Sequence, residues 1–231
     1  MELRRLIKIN WIKSLYFNFH YLPFKQAVKL PIILFKPKLL KCHGEVVIES
    51  ETIKTGMIQL GEYLVSLYPN KGVVWENHGG KITFNGSCIV GNSSAVSIGE
   101  RGYGIIGNNF RATAGLKLTI HHHIQFGENV LIAWDVIIMD TSFHRLKDSN
   151  GAFKNKGYGP VSIGKNNWIT ARCMILNGTK TPDYCTIGAG SVLNKDYSNL
   201  NTHILLAGNP LEVKVENIWI DLEDHDISEY L

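Results

Sequence analysis

The chain has 231 residues, 45% of them apolar and 19% charged, with a formal net charge of +4. That is enough for one large domain with a real core, and it excludes a disordered chain or a small disulfide-stapled scaffold. No run of about eighteen uncharged apolar residues is present, which excludes a bilayer-crossing helix. The N-terminus lacks an apolar stretch followed by a small-residue cleavage site, so a cytoplasmic location is expected, with the inner face of the membrane as a contact surface.

Residues 1–45 read as a basic appendage. From Met1 to Lys41 the basic residues Arg4, Arg5, Lys8, Lys13, Lys25, Lys29, Lys36, Lys38 and Lys41 face a single acid, Glu2, and alternate with Trp11, Tyr16, Phe17, Phe19, Tyr21 and Phe24. Helical turns are expected on either side of Pro23. A basic, aromatic, amphipathic segment can lie on anionic headgroups. It can equally pack on its own protein with its lysines outward, which is the preferred reading. Nucleic acid is not expected as a partner.

From about Val46 the texture becomes short β-rich pieces separated by Gly and Asn, and 46–215 reads as one domain. In "VSIGKNNWITARCMILNGTKTPDYCTIGAGSVLNKD", Val161–Asp196, the residues Ile163, Ile169, Ile175, Ile187 and Leu193 recur every sixth position, with Thr181 as the one polar member. Phe126, Ile132 and Ile138 share this spacing, and Ala114 and Ile120 extend it backwards. A period of six fits neither an α-helix nor an alternating strand. It fits a triangular parallel β-helix in which each hexad supplies one short strand and one turn. Val130, Val136, Cys173, Thr179, Cys185 and Ser191 fall at a second position small enough for a tapered interior. The four cysteines have no metal-type spacing and read as buried free thiols, with Cys173 and Cys185, two periods apart, stacked on each other. The predicted fold is mainly β.

Ile138 and Ile163 lie one residue out of register, and the polar, Gly-rich text between them reads as a loop near 139–162 thrown out of the coil. A loop on a rigid solenoid is a favoured place for function. Residues 216–231 form an acidic tail.

Three stretches carry a resemblance: "FGENVLIAWDVIIMDTSFH", the hexad run above, and "AGNPLEVK". The pattern resembles the hexapeptide-repeat acyltransferases, in particular the O-acetyltransferases of sugars and capsular polysaccharides. The resemblance implies a left-handed parallel β-helix, a homotrimer, acetyl-CoA as co-substrate, a sugar or glycan acceptor and no metal.

Moving an acetyl group from a thioester to a sugar hydroxyl needs a base beside that hydroxyl, and an imidazole suits the task near neutral pH. The resemblance places the base at His144, at the start of the loop. Asp140 is the candidate to orient it. Relative to galactoside acetyltransferases the stretch has one extra residue before the histidine and lacks the proline after it. For coenzyme A the resemblance points to Ala171, Ala189, Asn194 and Lys195, with Lys214 in place of the arginine that often follows the Gly-x-Pro turn. Trp134 can stack on a sugar face or pack at a subunit seam. His121, His122 and His123 are adjacent and cannot all converge on one ion from a strand, so a metal site is not expected; His123 is a candidate wall of the acceptor site. An N-acetyltransferase of an amino sugar, a serine acetyltransferase and an inactive β-helix scaffold are the rival readings.

Overall fold

The computed structural model describes residues 6–221. Its strands are short and belong to three parallel sheets that form the faces of a left-handed triangular β-helix. Face one runs from Ile32–Leu34 through Ile58–Glu62, Cys88–Asn92, Phe110–Ala114, Leu131–Trp134, Trp168–Ile169 and Cys185–Ile187 to Ile204–Ala207. Face two begins at Lys38–Cys42 and ends at Val192–Leu193. Face three begins at Glu45–Ile48 and ends at Val161–Ile163.

The hexads fall where the spacing places them. Ile169 pairs with Ile187 on face one, and Ile175 pairs with Leu193 on face two. Successive members of the series therefore occupy successive faces, and eighteen residues complete a coil. Thr181 sits on face three below Ile163, through the bridge from Ser162 to Lys180. Its hydroxyl accepts the Gly164 amide at 3.1 Å, which satisfies the one polar member of the series. The stacked Ile side chains are fully buried. Each contributes roughly 1.5–3 kcal/mol of burial, so the ladder is the chief source of stability. Val130, Val136, Cys173, Thr179, Cys185 and Ser191 are all buried as well. Cys173 and Cys185 do not stack on each other, however. Twelve residues is two faces and not one full coil, so Cys173 lies in register above Ser191 and Cys185 pairs with Ile204.

The hexad frame fails upstream of Phe126. Ala112 pairs with Ile132 twenty residues on, and Val90 pairs with Ala112 at twenty-two. The inward residues there are Ala112 and Leu118, and Ala114 and Ile120 are buried nearer the corners. The extra residues of this coil enter at the corner between faces two and three, where His121 and His122 separate Lys117–Ile120 from His123–Phe126. The same corner one coil later carries the inserted loop. At the corner before face one, Asn109, Asn129 and Asn166 adopt left-handed φ of 57°, 56° and 53°. Asparagine tolerates this conformation better than most residues. The three are joined by amide hydrogen bonds of 3.0 and 2.9 Å.

The coil begins at Ile32, earlier than the expected boundary at residue 46. Helix α1, Trp11–Tyr21, caps its open end, followed by the single turn α2, Phe24–Ala27. The first strand would leave backbone groups unpaired. Asn18 donates to the Ile32 carbonyl at 2.7 Å and accepts the Ile32 amide at 3.1 Å, and Ser14 accepts the Leu34 amide at 2.9 Å. Phe17 is buried edge-on against Trp75, with ring centroids 5.1 Å apart. At the other end the chain turns at Gly208–Pro210 and returns as Glu212–Glu216, antiparallel to Ile204–Ala207. Of the expected acidic tail, residues 222–231 lie outside the described residues.

Candidate active site

The corner between faces two and three holds the loop. Asp140 ends the strand Ile137–Met139 and is fully buried. Its two carboxylate oxygens accept the backbone amides of His121 and His122 at 2.8 and 2.7 Å. The structure thus gives Asp140 a different partner from the expected one. The corner residues of the preceding coil expose two amides that need an acceptor, and the carboxylate is spent on them rather than on the imidazole of His144.

The loop leaves as a hairpin. Thr141 bridges Tyr158, and Lys147 bridges Phe153. The Ser142 amide donates to the Gly157 carbonyl at 2.8 Å, and the Ser142 hydroxyl lies 2.7 Å from the His144 carbonyl, to which it donates. Gly157 has a φ of 74°, and a Cβ there would approach the His144 oxygen to 2.7 Å. Glycine is required at this position by both backbone conformation and space. At the tip, Asp148 accepts the amides of Asn150 and Ala152, both at 2.9 Å, and pairs with Lys154 at 3.2 Å. The Ala152 amide, then Lys154, holds its carboxyl below the usual range. Arg145 lies over the Phe153 ring at 3.6 Å.

Phe143 has a φ of 60°, a conformation that costs a bulky residue on the order of 1–3 kcal/mol. Its ring is held edge-on by His121, centroids 4.9 Å apart, and the ring of His121 occupies the space that Gly99 leaves open beneath it. His144 follows at once. It is exposed, and its imidazole has no hydrogen-bond or ring partner among the described residues. A fixed backbone therefore carries a free imidazole, the arrangement an incoming proton donor needs.

The histidine triplet is shared among three aromatic partners. His121 meets Phe143, His122 meets Tyr158 at 4.9 Å, and His123 meets Tyr103 at 5.3 Å. His123 starts a face-three strand, and its ring contact is with Tyr103 rather than His144. Among the described residues no group of three His, Cys, Asp or Glu side chains could hold a metal ion.

The other candidates lie along two corners. The registers of face one place Trp134, Ala171, Ala189 and Gly208 in one column at the corner before face two. Trp134 is 37% exposed and tilts against Tyr68 at 6.3 Å, while the Tyr68 hydroxyl donates to Asp135 at 2.7 Å. Nothing in the sequence pattern marks Tyr68, which comes from an irregular stretch more than sixty residues upstream. Below Trp134 the column is made of small residues; beside it a Cβ on Gly190 would meet nothing within 4 Å, while one on Gly208 would meet the Pro210 carbonyl oxygen at 2.9 Å. Asn194 and Lys195 lie at the far end of the strand Val192–Leu193, on the corner that carries the loop two coils earlier. Lys195 is exposed, with its ammonium 5.9 Å from the Tyr197 ring, at a cleft of about 330 Å³ also lined by Leu200, Leu211 and Glu212. Lys214 is ion-paired to Glu212 at 2.7 Å. A single chain thus sets His144 and Trp134 at opposite ends of one short strand rather than side by side.

Stacked hexads define the fold as a hexapeptide-repeat parallel β-helix, and the histidine-bearing loop and strip of small residues are placed on it. Sequence relatives agree. The chain is 32% identical over 111 residues to galactoside O-acetyltransferase of Escherichia coli (strain K12), covering 47% of this chain and 51% of that protein. It is 30% identical over 129 residues to galactoside O-acetyltransferase of Lactococcus lactis subsp. lactis (strain IL1403), covering 54% and 56%. The chain thus spans about half the length of the curated relatives it matches. No family model matches it. Among solved structures, the polysialic-acid-specific acetyltransferase NeuO superposes with a TM-score of 0.58 at 17% identity, covering 84% of this chain and 76% of that one, and so shares the fold.

Proposed function

We propose that the protein is an O-acetyltransferase that moves an acetyl group from acetyl-CoA to a sugar hydroxyl of a surface glycan or its precursor, with His144 as general base. The observation that carries this reading is the free, exposed imidazole of His144 on a backbone fixed by Ser142, Phe143 and Gly157. When bound, acetyl-CoA supplies the reactive thioester. The residues present suit it. Ala171 and Ala189 set small side chains along one corner for an extended arm, and Lys195, with no ion pair among the described residues, offers a cation to a phosphate. Asn194 stands beside it. Lys214 is the weaker candidate because Glu212 already neutralises it.

His144 takes the proton from the sugar hydroxyl as its oxygen bonds to the thioester carbonyl carbon; the carbon–sulfur bond then breaks, and the proton passes from His144 to the departing thiolate, which leaves as free thiol. Asp140 serves the reaction through the backbone by holding the corner from which the loop leaves. Trp134 and Tyr68 offer an aromatic surface to the apolar face of a sugar ring. A homotrimer would let the loop corner of one copy meet the small-residue corner of the next.

The test is thiol release from acetyl-CoA over a panel of sugar acceptors. Acceptor-dependent release should fall at least about a hundredfold in His144→Ala. Equal turnover in both proteins would remove His144 as the base. Faster turnover with amino sugars or serine than with any hydroxyl-only sugar would favour the N-acetyltransferase or serine acetyltransferase reading, and failure to bind acetyl-CoA would favour a scaffold.

A further inference from the structure

Helix α1 is turned with its larger apolar side chains away from the protein. The stripe that faces the coil is Ser14, Phe17, Asn18 and Tyr21, and two of these are polar because they pair with the backbone of the first strand. The opposite stripe, at the same helical spacing, is Ile12, Leu15, Tyr16 and Phe19, all exposed, with Ile12 at 83%. The surface continues into α2, since Phe19 meets Phe24 at 6.1 Å and Phe24 is 73% exposed. A soluble helix ordinarily buries its apolar stripe, and contiguous apolar surface of this kind marks an interaction site.

Charge identifies the occupant. Lys25 and Lys29 are exposed next to Phe24 and Val28, Lys8 is exposed with its ammonium 5.9 Å from the Tyr63 ring, and the sequence holds no acidic residue from 3 to 44. Protein interfaces are depleted of lysine at their centre. A lipid surface instead accepts aromatic and aliphatic side chains at the acyl boundary and lysine ammonium groups among anionic headgroups. None of the described helices is long and apolar enough to cross a membrane. We propose that α1 and α2 dock the protein flat on an anionic bilayer surface. This interface lies at the first coil, separate from the loop on a later coil, and it stands whatever reaction His144 performs.

The experiment is co-sedimentation of the full chain with vesicles of phosphatidylcholine alone or mixed with phosphatidylglycerol. Binding to the anionic vesicles should be at least about tenfold tighter than to the neutral ones and should weaken as salt is raised. The double variant Ile12→Ser with Phe19→Ser should lose about tenfold or more of that binding. Because both side chains point outward, its circular dichroism and Tm should match the wild type. A second variant, Lys25→Glu with Lys29→Glu, should lose the preference for anionic vesicles. Equal binding to both vesicle types, or binding indifferent to both variants, would overturn the proposal. So would absence of vesicle binding together with a smaller oligomer in Ile12→Ser, Phe19→Ser, which would assign the patch to a second copy of the chain.

Discussion

Phe143 and His121 meet edge to face with their ring centroids 4.9 Å apart, and this contact ties the base of the loop to the coil beneath it. It offsets the unfavourable φ of Phe143 and fixes the direction in which His144 leaves the corner. Phe143→Ala should therefore lower kcat about tenfold or more with little change in the KM for acetyl-CoA, because positioning error acts on the reacting geometry. Phe143→Leu, which keeps a packing group, should recover part of it. A Phe143→Ala enzyme with unchanged kcat would show that the loop base holds without this contact.

Gly157 lies against the backbone of His144, leaving no room for a side chain. In Gly157→Ala the new methyl meets the His144 carbonyl at 2.7 Å, and the residue must hold a φ of 74°. A cost of about 1–3 kcal/mol is expected from strain of this kind, paid locally in the loop. The coil does not depend on that loop, so the Tm should move little while activity falls about tenfold or more. A loss of Tm without loss of activity would contradict the separation of loop from coil.

Asp140 tests structure against chemistry. Removing its carboxylate in Asp140→Ala leaves the His121 and His122 amides without their acceptor inside a buried corner, which should cost about 2–4 kcal/mol. Asp140→Asn keeps one acceptor oxygen and should recover roughly half of that stability. If Asp140 acted directly on the imidazole of His144, the pH profile of kcat/KM would shift in Asp140→Asn. The geometry predicts that the profile keeps its midpoint while the Tm falls.

Much of this fold was legible because a solenoid writes its period into the sequence. Ile163 through Leu193 gave the faces in order, and the slip before Ile163 marked the loop. The upstream coils were not legible as hexads, because their corners carry extra residues such as His121 and His122. The start of the coil was masked for a different reason. Ile32–Leu34 and Lys38–Cys42 lie within the basic segment, and their pairing partners are about twenty-six to thirty-six residues away. At the site, His144 stood out by its place in the motif. The real partner of Asp140 could not be seen, since a carboxylate bound to amides one coil below leaves no local pattern. Tyr68 is hidden likewise, its contact with Trp134 being set by coil stacking alone.

Trp134, exposed, and Tyr68, half-buried, form an aromatic pair whose Tyr hydroxyl is anchored on Asp135. Burial first, then the hydrogen bond to Asp135 and that group's charge, raises the pKa of Tyr68, so the hydroxyl stays protonated as a donor throughout the neutral range. If the pair contacts the acceptor, Trp134→Ala should raise the KM for the sugar about tenfold, and leave the KM for acetyl-CoA near its wild-type value. A rise in both, with a smaller oligomer, would place Trp134 at a subunit seam instead.

Asp196 and Lys180 join face three to the last turn of the coil at 2.8 Å. The hydrogen bond from Lys180, then those from Ser198, holds the Asp196 carboxyl down to about 2, against an ordinary 3.8. The folded protein therefore binds this proton less readily than the unfolded chain. The pair's contribution is complete above about pH 4 and fades as pH falls towards 2. Both groups are exposed, so the contribution is small and weakens with salt. Asp196→Asn should lower the Tm slightly at pH 6, and the difference from wild type should close as pH falls through this window. A difference that stays constant down to pH 2 would show that the carboxylate charge has no part in holding the final turn.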